Sequence, residues 1–411
     1  MRVINNNRLL LDLRHGIGYA LTRLSLFQSE EVEHLVLRQS TPLFTAKLRV
    51  GTKDLEPMFE AIGSLSNLKT ICISDFGVAH EEEEAMTAAL PIECLVRLVT
   101  KSSRHGHLRS LRLDSIRMAG SPRDFQALAD ALENHPTLQE IVVSGCAPVH
   151  VNHDNNNNSN NDNNHPRDCR DVSIMQPVAV AMARMQTLKT VEIVETSFPP
   201  SGAWTGDSLS QLLQSKTLQT LRIRGVRFLG DKDVALMARA LEHNHALKEL
   251  WILSCELGFT SHGATAMAQM LRVNNTLEIL GLNRLSSNSH AIAIAQALHD
   301  NTSLRGLHLC LRDGLNSRTF ESFAELMEQN YVLETMSGGF MNSNKAGLSN
   351  CALHRKTLDF YLRLNQNGRR RLLQNSNATR QQWLETLSSQ SDDVSALFYL
   401  LSRNPLLCLC E

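Results

Sequence analysis

The chain has no run of about 18 apolar residues, the length a membrane-spanning helix requires. It carries no charge excess, with 41 Lys and Arg against 42 Asp and Glu and a formal net charge of −1. Electrostatics alone therefore gives no footprint for nucleic acid or for a membrane surface. Lysine is scarce, at 10 against 31 arginines. The N-terminal apolar patch is interrupted by Asp12 and Arg14 and lacks a small-residue cleavage site, so no secretory signal is expected. The nine cysteines are odd in number and scattered, unlike a disulfide framework. Together these point to a reducing, intracellular and cytoplasmic setting.

Catalytic signatures are equally sparse. No glycine-rich loop with a Lys-Ser/Thr pair cradles a phosphate, and "HGIG" at 15–18 is too short. There is no Gly-x-Ser-x-Gly elbow and no Cys/His constellation. The pairs His105/His107 and His150/His153 lack a second ligand pair at defined spacing and read as surface histidines, and "CLC" at 408–410 reads as a tail. "HNH" at 243–245 occupies a helix exit that other segments fill with "NN" or "DN". No enzyme, cofactor or metal is expected.

What the chain does have is a period. "SNLKTICI", "GHLRSLRL", "PTLQEIVV", "QTLKTVEI", "KTLQTLRI", "HALKELWI", "NTLEILGL" and "TSLRGLHL" recur with their first leucine at 68, 108, 138, 188, 218, 247, 277 and 304. A weaker copy follows at 333. Successive intervals run from 27 to 30 except for two of 40 and 50, each a period with an insertion. In step with these leucines come apolar residues six positions earlier (Leu132, Met182, Leu212, Leu241, Leu271, Leu298, Met327). Alanines precede them by three (Ala129, Ala179, Ala238, Ala268, Ala295, Ala324). Spacings of three and four define one helical face, and alanine allows close backbone approach. Asn244, Asn274, Asn301 and Asn330 mark helix exits, where asparagine is expected for its tolerance of left-handed backbone. The unit is strand, loop, helix, loop, and stacked units share a core that one unit cannot bury alone.

The L-x-x-L-x-L strand with a long helical half resembles the leucine-rich repeat of the ribonuclease-inhibitor-like subclass, over roughly residues 60 to 340. The resemblance implies an α/β solenoid, a horseshoe with parallel strands on the concave face and helices on the convex face. Residues 1–60 are expected to form degenerate repeats or an N-terminal cap, 61–345 the solenoid, and 346–411 a cap of two or three helices. The asparagine-rich tract at 149–168 reads as a disordered insertion, and Glu81–Glu84 as a solvated helix start. Counting the first strand leucine as one, Cys146 and Cys255 fall at position nine, where the family places Asn or Cys in a polar ladder. Phe76, Ile116, Thr196, Val226, Leu285 and Arg312 depart from that pattern.

Strand alternation assigns an outward row on the concave wall. Arg112, Val142, Glu192, Arg222, Trp251, Gly281 and His308 share it, flanked by Arg224, Glu249 and Asn283. Trp251 is expected between Arg222 and Gly281, with Gly281 and Gly306 leaving room for a partner group or for the indole itself. An aromatic residue beside arginines has the composition of an interface hot spot; the plainer alternative is an indole lying flat and stacked on Arg222. The candidate binding set is Trp251, Arg222, Arg224, Glu192, Glu249, Asn283, His308 and Arg112, for a protein partner and not for nucleic acid or membrane. The leading function is a protein-binding scaffold. The alternatives are a regulator of a small GTPase, since Ran GTPase-activating proteins share this repeat subclass but carry a long acidic tail, and a sensor-type module.

Overall fold

The structure, a computed structural model, describes residues 8–12, 32–38, 52–76, 89–150, 174–195, 204–226, 230–253, 261–311, 314–338, 348–366, 368–375 and 377–404. It divides into two compact units, residues 1–229 with 254–256 and residues 230–253 with 257–411. The first unit contains β1 (Arg8–Asp12), β2 (His34–Arg38), α1 (Thr52–Gly63), β3 (Thr70–Ser74), β4 (Leu90–Pro91) and α2 (Ile92–His105). It continues with β5 (Ser110–Asp114), β6 (Arg117–Gly120), α3 (Pro122–Glu133), β7 (Glu140–Ser144) and β8 (Ala147–His150). Then come α4 (Gln176–Arg184), β9 (Thr190–Val194), α5 (Gly206–Leu212) and β10 (Thr220–Arg224). The second unit runs α6 (Asp231–Glu242), β11 (Glu249–Leu253), α7 (Ser261–Val273), β12 (Ile279–Leu285), α8 (Asn288–Ala297), β13 (Gly306–Leu311), α9 (Ser317–Gln329) and β14 (Thr335–Gly338). Four helices follow: α10 (Leu348–Gln366), α11 (Arg369–Leu373), α12 (Arg380–Ser389) and α13 (Val394–Arg403).

Every pairing within each unit is parallel. In the first unit the order is β1-β2-β3-β5-β7-β9-β10, with a smaller sheet β4-β6-β8. In the second it is β11-β12-β13-β14. Strands alternating with helices in this way fit a repeat solenoid. The strands form because L-x-L segments alternate: Leu111 and Leu113, Leu221 and Ile223, Leu250 and Ile252 are all 5% exposed or less. The helices form their inner face as the spacing predicts, with each of the six alanines at most 5% exposed. Within each unit successive helices pack side by side, from α1 to α5 and from α6 to α10.

The helix exits differ from the expectation in their physics. Asn330 closes α9 in extended backbone, φ −86° and ψ 113°, and Asp75 and Ser115 are the positive-φ non-glycine positions among the described residues. The asparagines serve through their side chains instead. Asn274 Oδ1 accepts from the N–H groups of Thr276 and Leu277 at 3.0 and 2.8 Å, fixing the turn into β12. Its Nδ2 donates backward to the carbonyls of Leu241 and Asn244 at 2.6 and 3.1 Å. Asn301 repeats the pattern on Leu271 and Asn274, and Asn330 on Leu298 and Asn301. All are buried, between 4 and 5% exposed. This asparagine ladder ties each turn of the second unit to the turn before it.

The ladder ends on an arginine. The next pair of carbonyls, Met327 and Asn330, both accept from Arg369 Nη2 at 2.8 Å, in the slot the next asparagine amide would fill. Asn365 Nδ2 donates to Asn330 and Leu333, and Gln366 Nε2 donates to the Glu334 carbonyl. In the preceding repeat the equivalent carbonyl, Arg305, accepts the backbone N–H groups of Glu334 and Thr335. Arg369 is fully buried, its guanidinium 4.3 Å from the ring centroid of Tyr331 and 4.9 Å from that of Tyr361. Behind it Leu364, Leu372, Trp383, Ala396 and Leu400 form a separate core.

The first unit uses other residues at the same turn. Ser215 Oγ accepts from the N–H groups of Thr217 and Leu218. His135 Nδ1 accepts from Thr137 N–H at 3.4 Å while Nε2 lies 3.2 Å from Ser102 Oγ. Both ring nitrogens are thus engaged as in a neutral imidazole.

Two further expectations need correction. Among the described residues, 346–411 hold four helices rather than two or three, the additional one being the short α11 that carries Arg369. The asparagine-rich insertion does not begin at 149, since Val149 and His150 pair with Ala119 and Gly120 in the small sheet. Residues 151–173 lie outside the described residues, as do Glu81–Glu84, Thr196, Cys255 and Arg312.

Burial pulls the His135 pKa down to about 4 from an ordinary 6.5. The unfolded chain therefore takes up a proton between those values that the folded chain refuses. Stability from this group is complete above pH ~6.5 and declines as pH falls toward 4, by up to about 3 kcal/mol. Urea unfolding at pH 7.5 and 4.5 (roughly one unit above that window and roughly half a unit above its lower edge) should show a larger acid loss for wild type than for His135→Asn.

Candidate binding face of the strands

The outward strand positions are set by register. In the first unit Arg112 has Cys72 and Val142 as lateral partners, and Glu192 has Val142 and Arg222. Arg112 and Arg224 are exposed, and Glu192 and Arg222 half-buried. Glu192 meets Arg224 at 3.9 Å, a loose pair between partly solvated groups whose contribution is small. Val142 departs from the expectation of an outward residue: it is buried, at 4% exposed. Ser110 donates to Glu140 Oε2 at 2.7 Å along the neighbouring row.

In the second unit Trp251, Gly281, His308 and Ser337 stand in one lateral row. Trp251 is half-buried, and its indole is turned along the row rather than left standing free. Its six-membered ring occupies the space above Gly281, where a Cβ would lie 2.2 Å from Cε3. The indole then meets the His308 imidazole, with ring centroids 4.4 Å apart and planes inclined by 33°. Indole N–H donates to Glu249, and His308 Nδ1 is hydrogen-bonded to Ser337 Oγ. Burial holds the His308 pKa below its ordinary value, with the Glu249 charge opposing it. A neutral imidazole suits face-on packing against an indole. The expected room at Gly281 is thus used by the indole, whose ring partner is His308. Asn283, half-buried, pairs in register with Cys310.

The structure brings Glu249, Trp251 and His308 together in the second unit and Glu192 with Arg224 in the first. Arg222 and Arg112 belong to the first unit. Sequence reasoning missed the imidazole as the ring partner, although the two-residue alternation and one glycine between the rings were there to be read.

Cys94 and Cys146 are buried thiols whose pKa values are pushed up to about 12, which keeps them protonated and unreactive. Cys146 Sγ lies 3.5 Å from the Leu113 carbonyl at the position-nine turn. Phe76, Ile116, Val226 and Leu285 fill that position as buried apolar plugs, so the polar ladder runs through the helix exits instead. Among the described residues, no group of three or more His, Cys, Asp or Glu could hold a metal ion, and no helix is long and apolar enough to cross a membrane.

The sequence matches no protein-family model, and no curated protein matches it. Among solved structures, "Leiomodin-1 Actin-Binding Site 2 (ABS2)" is similar at 20% identity, over 40% of this chain and 91% of that chain, with a TM-score of 0.35. A likeness at that level transfers neither fold detail nor function.

Gly281→Ala should expel the indole from its notch. Trp204 and Trp383 are buried at 2 and 5% exposed, so collisional quenching by acrylamide reports chiefly on Trp251. Quenching should rise in the variant while stability falls by about 1 kcal/mol, the order of one lost ring pair. Unchanged quenching would mean that the indole does not occupy this notch.

Proposed function

We propose that this chain is a leucine-rich repeat protein of the ribonuclease-inhibitor-like subclass that binds a protein partner through the concave strand face of a horseshoe. In this reading it is a scaffold without catalysis of its own, working inside the cell. Residues 1–60 and 346–411 cap the two ends of the repeat array.

The observation that carries the reading is the braced indole of Trp251. A tryptophan half open to solvent, held by Gly281, Glu249 and His308, offers apolar area with little left to order on binding. Arg112, Glu192, Arg222, Arg224 and Asn283 supply polar groups of both signs on outward positions. Such groups contribute orientation and encounter rate more than affinity. The Arg369 plug supports the cap, because it satisfies carbonyls that a further repeat would otherwise take.

Trp251→Ala combined with Arg222→Glu should leave the far-UV circular dichroism spectrum unchanged and lower the melting temperature by only a few degrees, the order of one lost ring pair. Partners recovered with wild type by cross-linking and mass spectrometry, then purified, should bind the double variant at least about tenfold more weakly, a loss of roughly 1.4 kcal/mol or more. Equal binding would remove the strand face as the site. A large drop in melting temperature would make Trp251 a structural residue instead. GTP hydrolysis stimulated in a purified small GTPase would replace the scaffold reading with a regulatory one.

A further inference from the structure

Beside the start of β14 lies a cavity of about 680 Å³, walled by Arg305, Tyr331, Glu334, Asn365, Gln366 and Gly368 among others. Two acceptors that serve strand entry elsewhere in this unit meet there. At Asn244, Asn274, Asn301 and Asn330, Oδ1 accepts two main-chain N–H groups, from the residues two and three positions on. The Oδ1 of Asn365 is buried and accepts none among the described residues. Gly368, three positions on and at φ +85°, sends its N–H to the Asn365 main-chain carbonyl instead. With Nδ2 held on the Asn330 and Leu333 carbonyls, the planar amide directs Oδ1 away from them.

The second acceptor is the Glu334 carbonyl. At the equivalent place the carbonyls of Lys248, Glu278 and Arg305 each accept two consecutive N–H groups of the strand that follows. Glu334 receives the side-chain Nε2 of Gln366 at 2.7 Å, and Gln366 is exposed. A flexible side chain thus stands where a main-chain donor stands in the other joints. The edge beyond is equally unfinished. β14 ends the sheet order, and its sequence, Thr335-Met336-Ser337-Gly338, has none of the charges or prolines that blunt natural edges. Met336 continues the lateral row of Leu250, Leu280 and Leu307, each 0% exposed, yet is only half-buried.

We propose that this joint receives an extended segment of a partner protein, which adds beside β14 as a further parallel strand. Both acceptors call for N–H donors, and consecutive N–H groups at strand spacing are what a polypeptide backbone carries. The first two go to Asn365 Oδ1, and the next two displace Gln366 from the Glu334 carbonyl. An apolar side chain in alternation with these covers Met336. Arg305 and Glu334, loosely paired at 3.9 Å and partly solvated, present one charge of each sign to side chains at the entry. Recognition is chiefly through the main chain, so it tolerates many sequences. It is modest in strength because the edge is four residues long. The inference does not rest on the strand-face reading, since Trp251 takes no part in it.

The probe is a fluorescein-labelled peptide, TSLRGLHL, copied from residues 302–309, whose own N–H groups make these bonds to Asn301 and Glu278. Fluorescence anisotropy with the full chain titrated to about 500 µM should show saturable binding. The peptide N-methylated at its arginine and glycine should bind at least about tenfold more weakly. Gln366→Ala should tighten the unmodified peptide about threefold or more, with an unchanged circular dichroism spectrum. Trp251→Ala should leave its affinity as in wild type. Absence of saturation with both wild type and Gln366→Ala overturns the proposal, as when the chain's own residues already cover the edge. Equal binding of the N-methylated peptide, or no gain from Gln366→Ala, overturns it too. A loss with Trp251→Ala would move the peptide to the strand face and overturn this site while leaving that one standing.

Discussion

The second unit depends on one side chain used four times over. An asparagine three residues before each strand leucine spans the joint between neighbouring repeats. Its carbonyl oxygen takes two N–H groups of its own turn in all four, and in Asn274, Asn301 and Asn330 its amide nitrogen gives two hydrogen bonds to the turn before. These backbone groups lie at a helix end, where the last carbonyls have no partner within the helix. Left unpaired and buried, each would cost about 1–3 kcal/mol. Asparagine is the residue that can meet both demands at once, because it carries two donors and an acceptor on one short stem. Its amide links consecutive repeats in a fixed register, and that register sets the lateral rows of the parallel sheet. The contact of Trp251 with Gly281 and His308 follows from the row, so the candidate binding face inherits its order from the ladder.

The ends of such an array carry the physical problem that its middle solves by repetition. After Asn330 the pattern changes: Arg369 delivers a guanidinium nitrogen to the Met327 and Asn330 carbonyls, and the Asn365 amide shares the Asn330 carbonyl with it. A buried charge is costly unless hydrogen-bonded and electrostatically compensated. Here it rests on helix-terminal carbonyls, among the rings of Tyr331, Tyr361 and Tyr399. Both carbonyls and ring faces are negative, which favours the cation. The first unit is less uniform, with Ser215 and His135 at the same turn. Each can accept from the turn's own N–H groups, and His135 requires neutrality to do so.

Much of this was legible beforehand. The 27–30 residue interval located the strands, the alternation of L-x-L gave their buried face, and the alanines gave the inner face of each helix. The exit asparagines were visible too, but their backbone tolerance was mistaken for their purpose. Position nine, where the resemblance implies a polar ladder, instead holds Phe76, Ile116, Val226 and Leu285 as apolar plugs. The error is physical: a residue list shows which groups are present, whereas pairing depends on which backbone groups a turn leaves without partners. Val142 was assigned outward by alternation alone and is covered by its surroundings. The orientation of Trp251 was out of reach because a strand position fixes the direction of Cβ and leaves the rotamer open. Arg369 was hidden for another reason, since nothing local in "NQNGRR" says that one arginine finds carbonyls some 40 residues earlier.

The ladder is tested most directly by urea unfolding of Asn301→Ala beside wild type. The substitution takes the side-chain partner from the Leu271 carbonyl and from two N–H groups at a buried joint, and leaves the Asn274 carbonyl with Ser303 Oγ at 3.4 Å, while removing almost no apolar area. The account predicts a loss of about 2–4 kcal/mol with the slope against urea preserved. A loss under about 0.5 kcal/mol, the size of an ordinary surface substitution, would contradict it.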